Sequence, residues 1–148
     1  GDGPTRDSLV QLTRDLGLEG RVILAGLVPI DEISGVMSMA DIGVVPKRAN
    51  SFGNEAFSTK ILEFMALGVP VIVSNTKIDK YYFGDDLVMF FENENIDDLA
   101  AKMELMISNR GIRNQFIKNS LEYIQEHNWD VKRRIYLDLI SSLMGKKF

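Results

Sequence analysis

Four short apolar runs, separated by segments of a different period, constrain this chain more than any other feature. They are Arg21-Val22-Ile23-Leu24-Ala25, Ile42-Gly43-Val44-Val45, Val71-Ile72-Val73 and Leu87-Val88-Met89-Phe90-Phe91. A strand that is apolar without alternation is one buried on both faces. Between the runs, apolar residues recur at helical spacing: Leu9, Val10, Leu12 and Leu16, ending near Gly17; then Ile33, Val36, Met37 and Ala40 within a helix expected over Asp31–Met39; then Ile61, Leu62, Phe64, Met65 and Ala66. Short strands alternating with helices build a parallel sheet covered on both faces. The expected fold is therefore a Rossmann-like α/β domain. Stripes at Ile96–Ile107, Ile112–Ile124 and Val131–Leu143 end it in two or three helices, with Asn95 and Asn128 as N-caps. Lys47–Asn54 reads as a polar loop, and Ile78–Phe83 as a short helix or turn.

Composition narrows the class. A length of 148 residues with 45% hydrophobic residues fits one domain that buries roughly 68–70% of its unfolded surface. The net charge of −4 speaks against a nucleic-acid partner, which needs a basic face, but not against small anions held by local donors. Without cysteine neither a disulfide framework nor a thiolate metal site is available. No apolar run approaches the ~20 residues of a membrane span, and no signal-peptide pattern opens the chain. The expectation is a soluble, cytoplasmic domain. It opens abruptly on Gly1-Asp2-Gly3-Pro4, which is loop chemistry.

In open parallel sheets, ligands bind beyond the carboxyl ends of the strands, often against helix N-termini. The candidate places are the loops after Ala25, Val45 and Val73, and Gly1–Pro4. The stretch Asn54–Ser74, "NEAFSTKILEFMALGVPVIVS", carries the most chemistry. With a helix starting near Ser58 as N-cap, the amides of Ser58, Thr59 and Lys60 are unpaired first-turn donors. A helix N-terminus with free amides and a nearby lysine is a phosphate site. Glu55 precedes it and Glu63 lies inside it, about 10 Å apart at 1.5 Å rise per helical residue. A nucleotide sugar, hydroxyl-rich at both ends of a diphosphate, suits that arrangement. Equally, Lys60 and Glu63 have the i, i+3 spacing of an exposed ion pair worth roughly 0.2–0.5 kcal/mol, and Glu55 that of a loop carboxylate beside a helix start. Spacing alone leaves both readings open.

The order of motifs adds to this. "GDGP" followed by a helix, "RVILAGLVP", "ADIGVVP", "NEAFSTKILEFMALGVPVI" and the closing "HNWDVKRRIYLDLISSL" together resemble the donor-binding half of family 4 (group 1) glycosyltransferases, over nearly the whole chain. That family has the two-domain GT-B architecture and a Glu-x7-Glu signature, here Glu55 to Glu63. The resemblance implies a C-terminal nucleotide-sugar-binding domain over residues 1–148, one half of a GT-B fold, lacking the N-terminal acceptor domain. It implies a retaining transfer of a sugar from a nucleoside diphosphate to a glycan, lipid or polysaccharide precursor, without metal or other cofactor. The isolated piece would be inactive. Glu55 would be catalytic, facing the sugar hydroxyls near the reacting carbon. Glu63 would accept hydrogen bonds from the ribose. Amides around Phe57 and Ser58 would hold the sugar and its phosphate, and those of Thr59 and Lys60 the pyrophosphate. Gly26-Leu27-Val28 would lie along the nucleobase, and Gly3 would let the first loop approach the ligand. The acceptor would be bound mainly by the other domain, and any membrane contact, at the inner face, would be made through that domain alone.

The chain departs from the pattern at two places. Ser58 stands where many members have glycine, and Lys47-Arg48 where serine commonly follows the proline. The resemblance puts the basic pair that grips the diphosphate in that family upstream of where this sequence begins. Elsewhere the residues read as structural: Lys47 and Arg48 as a solvated basic loop, His127 as a surface or capping residue, Trp129, Met103 and Met106 as packing, and Asp79, Asp85 and Asp86 as a solvated acidic loop. Two other functions fit the same residues, a sugar-nucleotide epimerase of GT-B type and a non-catalytic nucleotide-binding module.

Overall fold

The computed structural model describes residues 2–145; Gly1, part of the opening loop, lies outside them. The chain divides at Val36/Met37 into two compact bodies. In the first, helix α1 (Arg6–Asp15) carries the expected stripe, and Gly17 ends it. At φ +64, Gly17 allows its amide to reach the Arg14 carbonyl and that of Leu18 the Thr13 carbonyl, the paired bonds of a Schellman stop. The strand expected at Arg21–Ala25 is not formed: residues 22–29 have no regular structure. A strand exists only through a neighbour's ladder, and among the described residues the single sheet has three strands, all later in the chain. Val22 and Ile23 are accordingly exposed. A short helix, α2 (Ile33–Ser38), runs across the division and is shorter than the expected Asp31–Met39.

The second body is the sheet and its helices. Strands β1 (Gly43–Val45), β2 (Val71–Ser74) and β3 (Met89–Phe91) lie in the order β1-β2-β3, all parallel, with Val44 opposite Ile72 and Val73 opposite Phe90. The apolar run of β2 is central and wholly buried. Its alternate side chains serve opposite faces. Val71 and Val73 pack with Ile61 and Met65 of α4 (Thr59–Ala66). Ile72 packs with Met106 of α6 (Ile96–Ser108). Each such side chain, fully buried, stabilises by roughly 1.5–3 kcal/mol, so β2 alone explains why the sheet is covered on both sides. Glycine at position 43 is required by that cover: a Cβ there would lie 2.7 Å from the Phe64 ring.

The helix α4 ends in the same stop as α1. Gly68 has φ +68, and the amides of Gly68 and Val69 return to the carbonyls of Met65 and Phe64. Between β1 and α4 the expected loop holds a five-residue helix, α3 (Ser51–Glu55). Asn50 caps it by accepting from the Gly53 amide at 2.8 Å. After β2 comes α5 (Lys77–Tyr82). The helices α7 (Arg110–Glu126) and α8 (Trp129–Met144) end the fold, with α7 packed on α4 and α6. Asn95 and Asn128 cap α6 and α8, accepting from Asp98 and Val131 amides. The stripe on α8 is helical as expected, but Ile135, Leu139 and Leu143 are exposed, and so is Trp129. The reading of Trp129 as a packing residue is therefore corrected: among the described residues nothing covers that face. Met106 is buried as expected, whereas Met103, read as a packing residue, is exposed and that reading is corrected. No helix among the described residues is long and apolar enough to cross a membrane.

Candidate functional site

The carboxyl ends of β1 and β2 are joined by a buried polar network. After Val45, Pro46 turns the chain and the Lys47 amide donates to Ser74 Oγ at 2.6 Å. The Lys47 side chain turns inward, with Nζ 2.9 and 2.7 Å from the two carboxylate oxygens of Asp79. Asp79 is 0% exposed and Lys47 side chain 14%. Thr76, the N-cap of α5, donates its hydroxyl to Asp79 Oδ2 at 2.6 Å and accepts the Asp79 amide. The expectations of a solvated Lys47 and a solvated Asp79 are both corrected: in the low-dielectric interior each is the other's partner. Asp85 and Asp86 are exposed as expected, and so is Arg48.

This network reaches the signature. Lys47 Nζ also donates to the Ala56 carbonyl at 2.9 Å, at the C-cap of α3. Two further ties hold the same segment to α5. Asn54 Oδ1 accepts the Lys77 amide at 3.1 Å. The Phe57 ring meets Tyr82 edge-on at 4.9 Å and stacks on Phe83 at 5.9 Å. The connection Ala56–Ser58 between α3 and α4 is thus fixed from three directions. Gly53 is part of that fit, since a Cβ would sit 1.8 Å from the Arg48 carbonyl oxygen.

The fixed loop presents the first turn of α4. Ser58 is at the N-cap as expected, yet its hydroxyl makes no capping bond. The Ile61 amide reaches the Ser58 carbonyl, whereas Ser58, Thr59 and Lys60 amides have no backbone acceptor among the described residues. These are the open donors the sequence leads one to expect, with the positive end of the helix dipole behind them. Ser58 has φ −102 and ψ 107, ordinary for any L residue, so serine in place of glycine costs nothing here. Glu55 is the last residue of α3 and not a loop residue. Glu55, Glu63, Thr59 and Lys60 are all exposed and Ser58 half-buried. No ion pair joins Lys60 to Glu63 among the described residues.

The structure thus collects Glu55, Phe57, Ser58, Thr59, Lys60 and Glu63 on one helix–loop–helix segment. Gly3, Gly26, Leu27 and Val28 belong to the first body. There Gly3 borders open space, and Gly26 has φ +72 with the Asp2 carboxylate 3.6 Å from where its Cβ would be. Leu27 is exposed and Val28 half-buried.

The Lys47–Asp79 pair was the chief omission from the sequence reading. The signal lay in Thr76-Lys77-Ile78-Asp79, the S/T-x-x-E type of helix start, here with aspartate. The aromatic run Tyr81-Tyr82-Phe83 was the other. Phe83 is buried, while Tyr82, against Phe57, and Tyr81, against Tyr82, are exposed. His127 is a capping residue, as expected. It ends α7, with Nδ1 2.9 Å from the Tyr123 carbonyl and its ring stacked at 3.8 Å on that tyrosine.

Comparison with known proteins agrees with this architecture. An uncharacterized glycosyltransferase of Methanocaldococcus jannaschii is 30% identical over 135 residues, 88% of this chain and 33% of the relative. The lipopolysaccharide core biosynthesis glycosyltransferase LpsE of Rhizobium meliloti is 25% identical over 144 residues, 96% of this chain and 40% of its own. The chain therefore spans between a third and two fifths of the length of these relatives. Among solved structures, the C-terminal domain of a glycosyl transferase group 1 family protein (LpcC) of Francisella tularensis superposes with a TM-score of 0.69 at 22% identity, covering 81% of this chain and 60% of that one. Residues 1–123 match the family "Glycosyl transferases group 1", and the chain belongs to that family.

Proposed function

We propose that the chain is the donor-binding, C-terminal domain of a retaining glycosyltransferase that uses a nucleoside-diphosphate sugar without a metal ion. The observation that carries the reading is the open first turn of α4, whose unpaired amides lie on one segment with two exposed glutamates. The amides of Ser58, Thr59 and Lys60, with the helix dipole, hold the diphosphate. They stabilise the charge that builds on it as the anomeric carbon–oxygen bond breaks with its electron pair. The acceptor hydroxyl oxygen forms the new bond to that carbon on the face the diphosphate leaves, and its proton passes to the departing diphosphate oxygen. Glu55 receives hydrogen bonds from the donor sugar's hydroxyls, and Glu63 from the ribose. The roles of Gly3, Gly26, Leu27 and Val28 rest on the resemblance alone. The share of the relatives that the chain covers, and its likeness to a C-terminal domain, support its place as the C-terminal part of a longer enzyme. The lipopolysaccharide relative supports a glycan or glycolipid acceptor.

A thermal-shift screen with nucleotide sugars tests the reading and identifies the donor. At a hundredfold excess over Kd, a ligand of the folded state adds about 2.7 kcal/mol, which for a chain of this size raises Tm by roughly 5–10 °C. One base and one sugar are expected to stand out. A flat response across uridine, guanosine and adenosine diphosphate sugars contradicts it.

A further inference from the structure

We propose that an aromatic pocket beside the signature loop binds a sugar ring of the acceptor; the proposal rests on the reading of the chain as a glycosyltransferase donor domain. The pocket has a volume of about 450 Å³, within the roughly 300–1,000 Å³ of small-ligand sites. Beside the aliphatic Leu62 of α4, its walls are Phe57, Tyr81, Tyr82, Tyr123, His127 and Lys132. They come from the α3–α4 connection, from α5, from the end of α7 and from the first turn of α8.

The lining differs from a packed core. The core aromatics Phe83 and Phe91 are 2% and 4% exposed, whereas Tyr81 is 81% and Tyr82 45% exposed. These two phenols are nonetheless ordered against one another, 5.0 Å apart at 84°, and Tyr82 against Phe57, 4.9 Å apart at 72°. The result is a fixed set of ring faces and edges open to solvent. The electron-rich face of an aromatic ring attracts the polarised C–H groups on the flat side of a pyranose. A sugar also needs hydroxyl partners, and the pocket has both kinds. His127 Nδ1 faces the Tyr123 carbonyl, so in the neutral ring it holds the proton and leaves Nε2 as an acceptor. Lys132 offers ammonium donors. Tyr123 donates its one O–H to the Tyr82 carbonyl at 3.2 Å, which leaves its oxygen as a second acceptor. Burial, and secondarily Tyr82, push its phenol above the ordinary value, so that bond to the Tyr82 carbonyl is kept.

Position connects the pocket to the transfer. Phe57 forms one wall and lies two residues beyond Glu55 in the segment proposed to hold the donor sugar. A ring stacked there is next to that segment and not remote from it. The mixed lining, with donors, an acceptor and exposed phenols, favours a carbohydrate over a purely apolar peptide.

The test is a set of ¹H–¹⁵N correlation spectra of the chain. It is titrated separately with the methyl glycosides of glucose, mannose, galactose and N-acetylglucosamine at millimolar concentrations, and with uridine and guanosine diphosphates. At least one glycoside is expected to shift the amides of Phe57, Tyr81, Tyr82 and His127 saturably, and Tyr81→Ala to weaken that binding by about fivefold or more. Tyr81 is the most exposed of the rings, so this variant is expected to keep the wild-type spectrum elsewhere. The diphosphates are expected to shift Ser58–Lys60 equally in both proteins. Glycosides that bind nowhere, that shift residues outside the pocket, or that bind Tyr81→Ala as well as the wild type overturn the pocket. If a diphosphate still shifts Ser58–Lys60 in that case, the donor reading stands. If neither ligand class binds, the donor reading fails as well.

Discussion

Lys47→Met is expected to destabilise the domain by about 3–5 kcal/mol, the cost of removing one partner from a buried ion pair. Urea unfolding with the slope held common to both proteins measures it. The size follows from what the substitution leaves behind. Asp79 is wholly buried, and without the ammonium 2.7 Å away its carboxylate keeps, among the described residues, only the Thr76 hydroxyl as a donor. The Ala56 carbonyl loses its donor as well. Methionine fills much of the lysine's volume, so the loss reports charge and hydrogen bonding and not a cavity. The double variant Lys47→Met/Asp79→Leu is expected to recover most of the deficit, because two apolar residues of similar volume replace such a pair at little cost. A single-variant deficit below about 1 kcal/mol, the range of surface pairs, contradicts the account.

The second large effect is on turnover. In the full-length enzyme, Glu55→Gln is expected to lower kcat by about a hundredfold, or some 2.7 kcal/mol of transition-state stabilisation. Affinity for the free nucleoside diphosphate is expected to change by less than about twofold. Glutamine keeps the shape of the side chain and removes the charge that orders the sugar hydroxyls beside the reacting carbon. Because Glu55 is exposed at the end of α3, the fold is expected to survive the change, and a loss of activity then reports on chemistry. Steady-state kinetics beside a diphosphate titration separate the two quantities. Unchanged turnover contradicts the role given to Glu55. Loss of diphosphate affinity in step with turnover places Glu55 on the wrong end of the donor.

What was legible in the sequence was what local chemistry decides. Asn95 and Asn128 were readable as caps because an N-cap needs only the next three residues, and both accept the amides expected of them. The parallel sheet was readable from the apolar run at β2, since a strand buried on both faces requires helices on both faces. Ser58 was placed correctly at the start of α4, although its hydroxyl does not cap. The failures share a cause. The strand at Arg21–Ala25 depends on a ladder partner, and composition does not show whether one is at hand. The helix α3 is five residues long, too short for periodicity to register, and it is held by the Asn50 cap and by bonds from Lys47 and Lys77 that sequence spacing does not show. Lys47 and Asp79 are 32 positions apart and meet only because β1 and β2 are neighbours, so each looked like a solvated charge. Trp129 and the α8 stripe show the reverse error: apolar periodicity marks a face that seeks cover, not one that has found it among the described residues.

The central claim is that the segment from Glu55 to Glu63 holds a nucleoside diphosphate. Isothermal titration of uridine and guanosine diphosphates into the wild-type chain and into Glu63→Ala tests it most directly. Glu63 is exposed on the second turn of α4, so its removal is expected to spare the fold while deleting the acceptor for the ribose hydroxyls. Saturable binding of one diphosphate, weakened about tenfold or more in the variant, about 1.4 kcal/mol, is the result expected. Equal affinity in the two proteins, or no binding of either diphosphate to the wild type, contradicts it.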